Sequence, residues 1–283
     1  MATPHTRKFE LIGADGGSLR GDVRTAGDGR GRPAVVICHG FKGFKDWGFF
    51  PVLATRLARA GITAVSFNFS GSGVGPDGES FSEPERFGHA TFAKDLEDVA
   101  TVYGALDAGE LLERLVGPTQ IGVFGHSRGG GTVVLQAARQ PGCRAVVTWA
   151  AIGDIRRWDA ETMKRWRKDG KLDIVNARTG DVLPLYTDAL DEIEQHSDGR
   201  LSIRRAASTM EAPWLIVHGD ADEGVSVDDG RAIHEAAGGD HVRLEIIEGG
   251  AHTFGAKHPW QGSTPQLDRA MDLTVGWFAE YLL

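Results

Sequence analysis

The feature that most restricts what this chain can fold into is a set of short apolar runs. Ala34-Val35-Val36-Ile37-Cys38 is apolar at every position. A strand with one face in water alternates polar and apolar residues, whereas an unbroken run suits a strand buried on both faces, as in a parallel sheet covered by helices. Residues 63–67, 120–124, 145–149, 214–217 and 242–247 read as further strands. Stretches with helical spacing separate them. Residues 50–60 end at Gly61, and 91–106 carry the stripe Leu96, Val99, Val102, Tyr103 and Leu106. Residues 130–139 and 265–282 complete the set. At the start, 9–12 and 19–23 flank Asp15-Gly16-Gly17, a hairpin pattern. The order predicts an α/β fold: a mostly parallel sheet of about eight strands, flanked by helices, with an antiparallel start.

Residues 150–208 break the rhythm. No buried strand is legible there, and the segment holds eleven basic and eleven acidic residues. Asp159 is placed to cap a helix reaching about Lys168, and Thr187 to cap one reaching about His196. Trp158 and Trp166, eight residues apart, would fall on roughly one face of a helix. A long insertion after a sheet strand reads as a lid. The expected division is a core of 1–149 and 209–283 with a lid at 150–208.

Gly125-His126-Ser127-Arg128-Gly129 has the form G-x-S-x-G, with a strand before it and a helix after it. That setting suits a sharp turn that lifts a serine above the sheet. A serine hydroxyl is a poor nucleophile until a base takes its proton. Ten histidines compete for that role. His252 lies in the loop just past the last strand, and His258 is the rival. His39 and His218 end strands and read as shaping the site, and the His126 side chain is expected to point elsewhere. The base needs an acid to hold its tautomer. Asp222 lies further along the loop after 214–217, toward where the histidine should arrive. Asp220 is expected to bond its own turn, and Asp154 is a third candidate. The order Ser127, Asp222, His252 follows. Two backbone N–H groups must face the developing oxyanion. Arg128, after the serine, supplies one, and Phe41 in His39-Gly40-Phe41-Lys42-Gly43-Phe44 supplies the other.

With these motifs placed, the chain resembles the α/β-hydrolases with a serine nucleophile, over nearly its whole length. Small intracellular esterases with a lid after the sixth strand, including feruloyl and cinnamoyl esterases, are the most similar. Residues 67–73, Phe-Asn-Phe-Ser-Gly-Ser-Gly, resemble the turn after the fourth strand in that family. Many relatives carry Arg where Ser70 stands, so that turn must be held differently here. Dienelactone hydrolases carry Cys at the elbow and haloalkane dehalogenases Asp, and Ser127 argues against both. The resemblance implies a carboxylesterase for small to medium esters, hydroxycinnamoyl esters among them, needing no cofactor and no metal. The same triad serves a peptidase or amidase, and a binding protein on this fold with catalysis lost is a third reading. Phe44, Trp47, Trp158 and Trp166 are the candidate substrate contacts. Phe41, Phe49 and Phe50 join the aromatic cluster after the oxyanion loop, which suits an acyl pocket and core packing equally.

Composition narrows the partners. Lys plus Arg is 31 against 39 Asp plus Glu, a net charge of −8. A nucleic-acid partner calls for a basic face, so none is expected. No run approaches the ~18 apolar residues of a membrane span, and residues 1–9 lack the apolar core of a secretory signal. Cys38 and Cys143 read as small buried hydrophobes, neither a disulfide framework nor a metal site. These features predict a cytoplasmic protein acting on a small-molecule ester. A homodimer is left open.

Overall fold

A computed structural model describes residues 3–27, 31–112, 117–176 and 179–283. Met1 and Ala2, at the head of the stretch searched for a signal, lie outside them. Strands β1 (Pro4–Ile12), β2 (Ser18–Ala26), β3 (Ala34–Cys38), β4 (Thr63–Phe67), β5 (Ile121–His126), β6 (Cys143–Trp149), β9 (Trp214–Gly219) and β10 (Val242–Ile247) form one sheet. The order is β1-β2-β4-β3-β5-β6-β9-β10. β1 pairs antiparallel with β2, and β2 antiparallel with β4, while every other pair is parallel. This is the mostly parallel sheet of eight strands, with an antiparallel start, that the sequence pattern predicts.

The runs are apolar throughout because alternate residues serve opposite faces. Val36, Val65, Val123, Val146 and Ile216 pack on one side, with helices α3 (Phe92–Asp107), α4 (Arg128–Ala137) and α8 (Val227–Ala237). Val35, Ile37, Ala64, Val147 and Val217 pack on the other, with α1 (Phe50–Arg59) and α9 (Pro265–Leu282). Val35, Val36 and Val65 are wholly buried. Burying such a side chain contributes about 1.5–3 kcal/mol. Thr91 caps α3, its hydroxyl accepting from the Lys94 N–H at 3.3 Å. The turn at Ser70 is held by Asp98, which accepts from the Ser70 hydroxyl and N–H at 2.8 Å each. Burial nonetheless raises the Asp98 carboxyl to about 6.

The segment between β6 and β9 holds more structure than its sequence pattern reveals. Helix α5 (Ala160–Asp169) starts at Asp159, whose carboxylate accepts from the Thr162 N–H at 2.7 Å. β7 (Lys171–Val175) and β8 (Val182–Tyr186) then form an antiparallel hairpin, followed by α6 (Thr187–His196) and α7 (Ile203–Ala207). Tyr186 occupies the cap position of α6 and Thr187 is its first helical residue, so Thr187 does not cap it. Trp158 precedes α5, and the shared helix face predicted for Trp158 and Trp166 gives way to a direct contact. The two rings meet edge to face at 5.1 Å. A helix of five residues, α2 (Pro84–Gly88), packs against this segment.

Candidate active site

Ser127 sits between the end of β5 and the start of α4, with φ 57° and ψ −120°. A side chain at positive φ costs about 1–3 kcal/mol and persists only where the surroundings impose it. They do so here. A Cβ on Gly125 would fall 2.3 Å from the Gly129 carbonyl oxygen, and one on Gly129 would fall 2.3 Å from that of His39. Only glycine fits on either side of the serine.

Three side chains from separate strand ends converge. The Ser127 hydroxyl lies 3.0 Å from His252 Nε2. His252 Nδ1 lies 2.9 Å from Asp222 Oδ2 and 3.1 Å from Oδ1. The Asp222 carboxylate is fully buried, while the His252 side chain is 30 % exposed. Burial alone would raise the Asp222 carboxyl. Contacts from His218 and His252 and the Val225 N–H outweigh it, and the carboxyl is held well below the usual range. A hydroxyl, imidazole and carboxylate in this chain can pass a proton from serine to histidine while the acid stabilises the imidazolium.

The supports of this chain are less visible in the sequence. His126 is buried, and burial lowers it to about 3, so it stays neutral. Its Nε2–H donates to the His252 carbonyl at 2.9 Å and so props the histidine loop from below. Asp220 accepts from the Gly249 N–H at 2.7 Å, binding the loop after β9 to the loop after β10. It does not serve its own turn, as its sequence setting suggests. His218 Nε2 lies 2.9 Å from the Val225 carbonyl, and His39 Nδ1–H donates to the Gly40 carbonyl at 2.9 Å. Burial lowers His39 to about 4.

The β3–α1 loop lies against the serine. A Cβ on Gly40 would stand 3.0 Å from that of Ser127. Beside the loop is a cleft lined by His39, Phe41, Phe69, Phe87, Asp95 and Arg128. Phe41 and Phe87 rings meet at 5.1 Å.

Several aromatic residues expected at the substrate lie elsewhere. Phe44 is fully buried with Val74, Phe81, Phe87 and Leu183. Trp166 is fully buried in the main core, where Trp158 packs against it. Phe49 and Phe50 are buried against His126. Phe44, Phe49, Phe50 and Trp166 have their surfaces taken up by packing and present none to a ligand, while Trp158 is half-buried. Trp47 is half-buried and stacks on His258 at 6.3 Å. His258 bonds the Gly48 N–H at 3.1 Å and Glu79 at 2.7 Å, away from Ser127. Among the described residues no group of three or more His, Cys, Asp or Glu is placed to hold a metal ion. No helix among them is long and apolar enough to cross a membrane.

Residues 29–177, more than half of the chain, match the model of the family described as serine aminopeptidase S33, Hydrolase_4. The chain belongs to this hydrolase family. The hydrolase is 25 % identical over 255 residues to the 2,6-dihydropseudooxynicotine hydrolase of Paenarthrobacter nicotinovorans, covering 89 % of this chain and 60 % of that protein. It therefore spans less than two thirds of that relative. It is also 25 % identical to the monoacylglycerol lipase of Mycolicibacterium smegmatis, over all of both chains. Est1E of Butyrivibrio proteoclasticus, solved with ferulic acid bound, superposes with a TM-score of 0.72 at 20 % identity, covering 96 % of this chain and 98 % of that one. That likeness speaks for the fold of the hydrolase.

Proposed function

We propose that the hydrolase cleaves small to medium carboxylic esters through an acyl-enzyme on Ser127. The observation that carries this reading is the hydrogen-bonded chain from Ser127 through His252 to the buried Asp222. In the proposed cycle Ser127 Oγ attacks the ester carbonyl and His252 Nε2 takes its proton. Asp222 orients the imidazole and stabilises its charge. The backbone N–H groups of Phe41 and Arg128 receive the oxyanion. His252 then protonates the leaving alcohol, and water repeats the sequence to release the acid. Residues 150–208 act as the lid over the substrate. Nothing but water is required as co-reactant.

The finer proposal is an acyl group with an aromatic ring, of the hydroxycinnamoyl kind. The half-buried ring of Phe41 at the cleft supports it, and so does the ferulic acid that Est1E binds. Amide cleavage is the second reading, favoured by the description of the family as aminopeptidases. The test is kcat/KM for methyl ferulate, p-nitrophenyl butyrate and an aminoacyl p-nitroanilide, with Ser127→Ala as background. Ferulate turnover near or above that of butyrate supports the aromatic acyl pocket, and butyrate turnover alone leaves a short-chain esterase. Turnover of the anilide with neither ester cleaved would overturn the ester reading.

A further inference from the structure

The Arg128 side chain fills the space behind the elbow. Its Nε–H donates to Asp95 Oδ2 at 2.8 Å, and the two side chains are only 13 % and 7 % exposed. Its guanidinium carbon lies 3.9 Å from the centroid of Phe92 and 5.6 Å from that of Phe41. Phe92 and Asp95 share the first turn of α3. That helix start is in turn held by Glu192 of α6. Its carboxylate accepts from the N–H groups of Phe92 and Ala93 at 2.6 and 2.8 Å.

A buried ion pair is a poor source of stability, because removing two charges from water costs about as much as their attraction returns. This pair stands at one particular place. Arg128 is one of the two residues whose backbone N–H is proposed to hold the oxyanion, and Phe41, whose ring its guanidinium faces, is the other. The donors must sit at about 2.7–3.1 Å from the developing charge to act. Phe41 is in a loop that includes Lys42 at φ 57°, with no strand or helix to fix it.

We propose that the Asp95–Arg128 pair is a positioning clamp for the oxyanion hole. Asp95 fixes the guanidinium, and the guanidinium, set between the rings of Phe92 and Phe41, fixes the Phe41 loop against the elbow. Glu192 extends the clamp to the inserted segment, so α6 must be docked for the hole to be formed. Asp95 and the Arg128 side chain touch no reacting atom. This inference rests on the acyl-transfer reading above.

Asp95→Asn tests it, read by kcat and KM on p-nitrophenyl butyrate and by inhibition with an alkyl trifluoromethyl ketone. The ketone's adduct with the serine places an oxyanion in the hole. A displaced donor is expected to lower kcat about 10- to 100-fold, with KM changed less than about threefold. The ketone Ki should weaken in step with kcat/KM. Phe41→Leu removes the ring and leaves the ion pair. It should show the same split, and it decides the matter if Asp95→Asn does not fold. A folded variant with unchanged kcat and Ki overturns the clamp. So does a lower melting temperature with Ki unchanged, which marks a purely structural pair. A ketone that fails to inhibit the parent enzyme overturns the acyl-transfer reading itself.

Discussion

The sheet that carries Ser127 and the segment inserted after β6 are held together by different forces. In the sheet, β3, β4, β5 and β9 are buried at every residue, and the loops of Ser127 and Asp222 leave from two of these strands, while that of His252 leaves from the half-buried edge strand β10 and is tied to the β9 loop through Asp220. In the insertion, β7 alternates between exposed and half-buried residues, and Val175 and Val182 are more than half exposed. The insertion joins the main core through buried side chains spread along it, Trp166, Leu185, Leu190, Ile193, Leu201 and Ile203 among them. Exposed polar contacts supplement them: Arg167 of α5 pairs with Asp191 and Glu194 of α6 within the insertion, and His89 and Asp188 share a hydrogen bond of 2.8 Å. The proposed proton transfer needs tenths of an ångström held constant, and the buried ends of β5 and β9 favour that for Ser127 and Asp222. The insertion can shift at a smaller free-energy cost because less of it is buried.

If this contrast holds, disturbing the two regions has separable consequences. The largest effect belongs to the sheet-borne site. His252→Ala is expected to lower kcat by about 10³-fold or more while the melting temperature stays within a few degrees, as a partly exposed side chain carries little packing. Steady-state kinetics beside a thermal melt checks this. In the insertion, Trp166→Ala removes a fully buried indole and should cost about 3–5 kcal/mol. Hydrogen exchange should show the loss confined to residues 150–208, with the strands still protected. Spread of the loss into β5 would merge the two regions into one cooperative unit.

Acid sharpens the contrast from the other side. His39 and His126, both buried near the elbow, fall from the ordinary 6.5 to about 4 and about 3. As pH drops, the unfolded chain takes up these protons first. The stability is therefore complete at pH 7 and is lost from about 6.5 downward. Linkage gives about 2 kcal/mol for each histidine by pH 5. Denaturant midpoints between pH 7 and 5 should fall accordingly, and His126→Gln should flatten the slope. The smallest effect belongs to the surface of the insertion. Arg167→Ala breaks two exposed ion pairs and should move the melting temperature by no more than about 1 °C.

The same division governs what the sequence discloses. The inner strands of the main sheet are legible, because residues such as Val35 and Val36 answer to opposite faces and leave unbroken apolar runs, while β1 and β2 are marked only by the Asp15-Gly16-Gly17 turn between them, and β1 starts at Pro4, five residues before the expected 9–12. Ser127, Asp222 and His252 stand out as motif residues at strand ends. The β7–β8 hairpin does not, since Lys171-Leu172-Asp173-Ile174-Val175 mixes charge with apolar residues and its strands pair only with each other. The aromatic residues mislead for a related reason. Phe44 and Trp166 look alike as packing or as binding groups until their neighbours are known. The supports of the site are tertiary as well. Nothing local announces that His126 reaches the His252 carbonyl or that Glu192 caps a helix a hundred residues away.

The central claim is that Ser127 is an activated nucleophile. Intact-mass spectrometry after treatment with a fluorophosphonate addresses it directly. The parent enzyme should gain one phosphonyl adduct, mapped by peptide digestion to Ser127, and Ser127→Ala should gain none. A folded parent enzyme that stays unlabelled, or carries its adduct on another residue, would contradict the account.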